Sequence, residues 1–285
     1  MLILGFFIGS PWGSKAQTLG GNALFQFAQQ SASAQLSALG GINITHRGND
    51  VGMVVQSPLL LHEGMKGQSS ASFNAFLAGI QQLGFATGFR PKNTVWDMAL
   101  GIHYLGYGQL NQTDPSGLVL GSFSPRDYAV QWSAARSVRE KWKLGWSLKF
   151  LHSQYGPYAA SGLAVDLGWL YSDTTTGWQF GLLAKNMGAV LKTFAPSENK
   201  GELPFDLQFG WSKKLSSAPL QFSMTFHGLH RLGKYYNDSS FRFETGDPNA
   251  AQPPSVVKKA LEHVVLGAQA QVGPWIEISM GYHFG

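Results

Sequence analysis

The chain has 285 residues, of which 13% are charged, 44% hydrophobic and 13% aromatic, with 35 glycines and no cysteine. A soluble globular domain carries roughly 25% charged residues, so something other than charge must keep this chain dispersed, and a membrane barrel is favoured over a soluble sandwich. The missing cysteines exclude a disulfide framework, a thiolate nucleophile and a Cys-based zinc site. The formal charge of +5 comes from scattered Lys and Arg, which gives no clustered basic face and so no nucleic-acid footprint.

The apolar stretch Met1-Leu-Ile-Leu-Gly-Phe-Phe-Ile-Gly9 is followed by Ser14 and Ala16, small residues three and one positions before a cut after Ala16. This predicts a secretory signal peptide over residues 1–16 that lacks its basic n-region, as a start codon placed a few residues late would produce. Beyond residue 17 no run approaches the roughly 18 consecutive apolar residues of a transmembrane helix. A mature protein in a membrane would therefore have to cross it as a barrel.

Residues 17–66 do not alternate in polarity. Ala38-Leu-Gly-Gly41 followed by Ile42-Asn-Ile-Thr45 predicts a small-residue turn into a short strand. Asp50 before an apolar run, closed by Ser57-Pro58, predicts a capped helical turn. A compact mixed piece of this kind is expected to plug or line the lumen of a barrel spanning residues 67–285.

From residue 69 onward, segments of about ten residues carry an apolar or aromatic side chain at every second position. Trp142, Leu144, Trp146, Leu148 and Phe150 alternate with Lys143, Gly145, Ser147 and Lys149; a strand separates the two sets onto opposite faces, whereas a helix would mix them. The predicted strands lie near 69–79, 82–90, 94–106, 125–136, 141–152, 160–172, 177–187, 203–213, 218–228, 261–271 and 275–284. Their polar face is mostly Gly, Ser, Gln and Ala, which suits a crowded barrel interior. Trp96, Tyr104, Trp142, Trp169, Tyr171 and Trp211, at strand ends, suit the lipid interfaces. Asp97, Asp166, Asp206 and Glu277 fall on the polar face, where ion pairs with Lys143, Lys149 or Lys185 are expected, while Leu105, Leu151, Leu170 and Leu183 interrupt it and suggest a modest apolar lumen patch.

Even-numbered strands end in short links, and four odd-numbered ones in longer links near 107–124, 153–158, 188–203 and 229–259, the alternation of periplasmic turns and extracellular loops. The first link, around Gly79-Ile-Gln-Gln82, is short and breaks that rule. An odd strand count and a chain ending inside a strand give the expectation of a C-terminally incomplete barrel.

No catalytic constellation, P-loop or nucleophile elbow is present, so an enzyme is not expected and no cofactor is implied. His227 and His230 lie near a strand end without nearby carboxylates, a pairing more often structural than metal-binding. Partner contacts are expected from the loop residues Tyr107, Asn111, Asp114, Lys192, Arg231, Lys234, Tyr235, Tyr236, Phe241 and Arg242, since Tyr and Arg are the commonest interface anchors.

The text from Gly20 to Gly41, with Ala32-Ser-Ala-Gln-Leu-Ser-Ala-Leu-Gly-Gly41, and from Asn49 to Leu61 resembles the start of the PorV/PorQ family of type IX secretion system outer-membrane proteins. These belong with the fatty-acid transporter FadL to one superfamily of barrels. In that family a phrase of the type SAR-ALGG, an acidic pair and NPALL precede the first barrel strand and form an N-terminal hatch. The matching positions here are Gly40, Gly41, Asp50 and Pro58, with Gln35 in place of the family Arg and Ser57 in place of Asn. The resemblance implies an all-β, FadL-like barrel of about fourteen strands. It also implies anchoring of a PorZ-like surface protein, together with PorU and PorV-like components, in an attachment complex that links cargo to anionic lipopolysaccharide in the outer membrane. The alternative it implies is FadL-like transport of a hydrophobic small molecule.

Overall fold

The structure, a computed structural model, describes residues 23–46, 48–195, 201–231, 256–272 and 276–284. The expected signal peptide lies outside them. The strands are β1 (Ser69–Ala75), β2 (Gln81–Phe89), β3 (Asp97–Gly106), β4 (Leu110–Thr113), β5 (Val119–Phe123), β6 (Arg126–Arg139), β7 (Trp142–Tyr155), β8 (Tyr158–Ser172), β9 (Trp178–Lys192), β10 (Asp206–Lys214), β11 (Leu220–Phe226), β12 (Val264–Val272) and β13 (Ile276–His283). Eleven of them form one antiparallel meander in the order β1-β2-β3-β6-β7-β8-β9-β10-β11-β12-β13. The protein is thus all-β, built on the eleven strands that its periodicity predicts. Each neighbour in the sheet is its neighbour in sequence, β4 and β5 aside. The outer edges of β1 and β13 are not paired with each other.

Several sequence expectations are corrected. The link predicted near 153–158 is a two-residue turn, Gly156 and Pro157, because β7 runs on to Tyr155 and β8 starts at Tyr158. Gly156 meets the turn's need for a positive φ of 59°. The 107–124 link is not a plain loop, since β4 and β5 pair within it as a separate hairpin. Strand β9 continues through 188–192, with Lys192 opposite Ser161. No strand forms at Ile42–Thr45; Asn43, Ile44 and Thr45 are buried in the interior instead of pairing, and Ile42 is half-buried.

Polarity is inverted relative to a water-soluble sandwich. Trp132, Leu148 and Met280 are 42%, 43% and 71% exposed, and Leu100, Ile102, Phe150, Leu167 and Phe180 share their outward face. The opposite face buries Gln131, Ser133, Ser147, Lys149, Asp166, Lys185, Gln208 and Ser223. Register carries this across strands: Leu100 pairs with Trp132, Trp132 with Leu148, and Leu148 with Val165. At the short-turn end the outward aromatics touch edge to face, Trp142 lying 5.4 Å from Trp169 and 4.9 Å from Tyr171. Next along this rim, Trp178 lies 5.6 Å from Trp211, and Lys213 sits 4.8 Å over the Trp178 ring.

Residues 23–66 pack against the buried polar face. A short helix, α1 (Ala34–Ala38), is capped by Ser33, and the chain leaves it through Gly40 and Gly41 at φ 87° and 85°, a left-handed exit that side-chain-bearing residues resist. Asp50 caps a 3-10 helix over Val51–Val55, accepting from Gly52 N at 2.8 Å, and Ser57 caps a second at Pro58–Leu60. The segment touches the sheet from end to end. Val51 and Met65 meet Gly88 of β2, Val55 meets Gly101 of β3, Leu59 meets Gly168 of β8, Ile44 meets Gly210 of β10 and Leu39 meets Gly281 of β13. One compact segment can reach both outer strands only if the sheet curves around it. At Gly281 a Cβ would lie 2.2 Å from the Leu39 backbone, so only glycine admits this approach.

Candidate functional site

The interior and the loop-side rim hold the groups able to bind or to be gated. Hydrogen bonds tie the N-terminal segment to the wall on many strands. Gln131 donates to the Val54 carbonyl at 3.1 Å, Lys143 to the Leu59 and Leu61 carbonyls at 3.3 and 3.1 Å, and Ser212 to the Thr45 carbonyl at 3.0 Å. Asn43 donates to Ser223 at 2.9 Å and Gln35 to the Glu277 carboxylate at 2.6 Å, while Lys185 donates to Gln56, which in turn donates to the Gln30 carbonyl. Gln269 donates to the His46 ring. Burial pushes the His46 imidazole down, against the pull of Glu277, which keeps it the neutral acceptor this bond needs.

The expected interior ion pairs form only in part. Lys149 and Asp166 meet at 2.6 Å, both buried. The other oxygen of Asp166 accepts from the N–H of Asn186, at 2.8 Å, where a register shift and a φ of 57° mark a bulge in β9. Asp97 pairs instead with Arg90 at 2.6 Å, Asp206 accepts from Gln208 and from Gly228 N, each at 2.6 Å, and Lys143 and Lys185 are committed to the N-terminal segment. The apolar lumen patch is filled by the same segment. Leu105 and Leu151 cluster with Phe25 and Phe27, and Leu170 and Leu183 with Ile44 and Leu59.

At the loop-side rim Tyr107 donates to the buried Asp127 carboxylate at 2.5 Å, and Tyr155 donates to the same group at 3.1 Å. Burial, then the neighbouring Asp127, pushes the Tyr107 phenol up, so it remains a donor. Phe194 packs on Tyr155 at 5.0 Å between centroids. Tyr107 is therefore a rivet between loop and wall and does not project toward solvent. Asn111 lies exposed on β4, and Asp114 closes the hairpin tip by accepting from Ser116 N and Leu118 N, both at 2.9 Å. Lys192 is exposed at the end of β9, and Arg231 pairs with Glu202 at 3.2 Å. Lys234, Tyr235, Tyr236, Phe241 and Arg242 lie outside the described residues. The antiparallel order puts Tyr107, Asn111, Asp114, Lys192 and Arg231 at one end of the sheet, and Tyr107 and Arg231 line a common cavity of about 1490 Å³ there. Asp127, Tyr155 and Phe194 were not legible as site residues, because the cluster joins the two ends of the β3–β6 connection to the β7–β8 turn and, through Phe194, to the link after β9.

The opposite end carries a tight polar turn. Asp173 meets Lys141 at 3.0 Å and accepts from Thr175 N at 3.0 Å and Thr176 N at 3.4 Å. The Lys141 ammonium, joined by the Thr176 and Thr175 amides, holds the Asp173 carboxyl down to about 2, against partial desolvation. A carboxylate depressed on folding stabilises the fold above its unfolded pKa, and this is lost as pH falls through the folded value. The turn is therefore expected to loosen between pH about 4 and about 2. Carboxyl-carbon NMR titration should place the Asp173 midpoint near the lower value, and Lys141→Ala should raise it.

No protein-family model and no curated protein sequence matches the chain. Among the described residues no helix is long and apolar enough to cross a membrane, which says nothing of crossing by strands.

Proposed function

We propose that this chain is a bacterial outer-membrane β-barrel of the FadL-like type, and specifically PorQ, a non-enzymatic anchor of the type IX secretion system that holds a PorZ-like surface protein, with PorU and PorV-like components, near anionic lipopolysaccharide. The observation that carries the membrane part is the inversion of polarity, an apolar and aromatic outer face over a buried Gln, Ser, Lys and Asp interior. Bare strand edges are not tolerated in lipid, so β1 and β13 would be closed by further strands of a barrel of about fourteen. Residues 23–66 would be the hatch, and the aromatic rim at the short turns the periplasmic interface. The assignment to PorQ rather than PorV rests on the phrase from Phe25 to Gly41.

Anchoring is favoured over transport because the hatch covers the apolar lumen leucines and is bonded along the wall. The cavity of about 1490 Å³ at the loop end is the feature that favours FadL-like uptake. Deleting the 229–259 connection separates the readings. Loss of the surface partner from the membrane fraction, with the barrel retained there, supports anchoring; unchanged recruitment contradicts it.

A further inference from the structure

The cavity of about 1490 Å³ at the loop end reaches down to a buried cation. Lys185 of β9 is 3% exposed and lines this space. Register puts Asp206 of β10 directly opposite Lys185, where a cross-strand ion pair would ordinarily form. That carboxylate is committed elsewhere. One of its oxygens accepts from Gly228 N and the other from Gln208, each at 2.6 Å, although Asp206 also lines the cavity. The next buried carboxylate, Asp166, is taken by Lys149 at 2.6 Å. Lys185 is thus left without an ion-pair partner among the described residues and donates to the neutral Gln56 amide. An ammonium has three N–H donors, so two stand without an acceptor. Buried charges are ordinarily paired, and the space beside this one is the cavity.

The rest of the lining indicates what carries the missing acceptor. From the N-terminal segment, Gln26 and Gln29 reach backbone carbonyls only at 3.4 Å, and the side-chain amide of Gln30 is bonded to nothing among the described residues. Asn74 and Gln208 face the same space from the wall. Side-chain amides donate and accept, which is what hydroxyl groups need. An alkyl chain laid over them would strip these amides of water and return no hydrogen bond, a net cost.

We infer that the cavity binds a hydroxylated anion, a sugar acid or a sugar phosphate, with its charged group on Lys185 and its hydroxyls on the surrounding amides. The inference does not depend on the anchoring role, and it differs from uptake of a hydrophobic molecule in the ligand it requires.

The test titrates glucuronate and glucose-6-phosphate into the full chain folded in detergent, with glucose and octanoate as controls and detergent alone as the blank, read by calorimetry. Saturable binding of at least one of the two acids is expected, about tenfold or more tighter than glucose, since a hydrogen bond to a charged group is lost with the neutral sugar. Which acid binds tells a carboxylate site from a phosphate site. Lys185→Gln should reduce the acid to the level of glucose. Gln30→Ala, which removes a side chain with no bond to the fold, should weaken the acid and leave the protein folded. Absence of binding by both acids, an acid no tighter than glucose, acid binding unchanged by Lys185→Gln, or octanoate binding tighter than either acid overturns the inference. The wild-type preference for acid over glucose decides even if the Lys185 variant fails to fold.

Discussion

Asp166→Ala is expected to destabilise the protein by about 3 to 5 kcal/mol, because it strands the buried Lys149 ammonium without its partner. Asp166 is fully buried, and its two oxygens serve different elements: one meets Lys149 on β7, the other accepts the Asn186 N–H in the β9 bulge. Asn186 adopts its left-handed conformation at φ 57°, and its side chain accepts from Lys149 at 3.1 Å and donates to the Pro204 carbonyl at 3.1 Å. Removing the carboxylate therefore uncompensates a charge and orphans an amide in one step. Equilibrium urea unfolding in phospholipid vesicles measures the loss. The double replacement Lys149→Met with Asp166→Leu should recover most of it, since a well-packed apolar pair avoids the desolvation of both ions. A single-variant loss under about 1 kcal/mol would mean that water reaches this pair.

On the proposed barrel reading, which puts Leu148 near the bilayer midplane, Leu148→Arg should cost about 2 to 4 kcal/mol in vesicles. Leu148 is near the middle of β7, 43% exposed, and flanked across the sheet by Trp132 and Val165. An exposed leucine on a water-facing sheet tolerates the same change within about 0.5 kcal/mol. The two environments thus differ by several-fold in an effect measured by the same unfolding experiment. Arginine at Arg139, beside the short turn, is already accommodated, as expected for a position at the rim.

The strands were legible because alternation is a local property: a run such as Trp142 to Phe150 declares its two faces without knowledge of its neighbours. The ends were less so. Strand β9 runs past the predicted end through Gly188–Lys192 because a bulge at Asn186 resets its register, and only Asp166, twenty residues away, supplies the partner for that amide. The hairpin β4–β5 was hidden in a stretch read as loop, since four- and five-residue strands leave too little periodicity. The capped turn at Asp50 and the Ser57-Pro58 start were legible from capping chemistry, whereas Ile42–Thr45 has β-branched residues but finds burial beneath Gly181 and Gly210 instead of a strand partner. The candidate site was legible by position, as the loop end, but not by contact. The Asp127 cluster and the surroundings of Lys185 join residues far apart in sequence, which no local pattern reports.

The outward face in lipid is the claim on which the rest stands, and the cysteine-free chain makes it directly measurable. Single cysteines placed in turn from 144 to 150 on β7 can carry a nitroxide in reconstituted vesicles, with relaxation by lipid-soluble oxygen compared with relaxation by a water-soluble nickel chelate. Positions 144, 146, 148 and 150 should favour oxygen, and positions 145, 147 and 149 should be shielded from both by the packed N-terminal segment, giving a period of two. Outward positions relaxed mainly by the nickel chelate would contradict the membrane barrel.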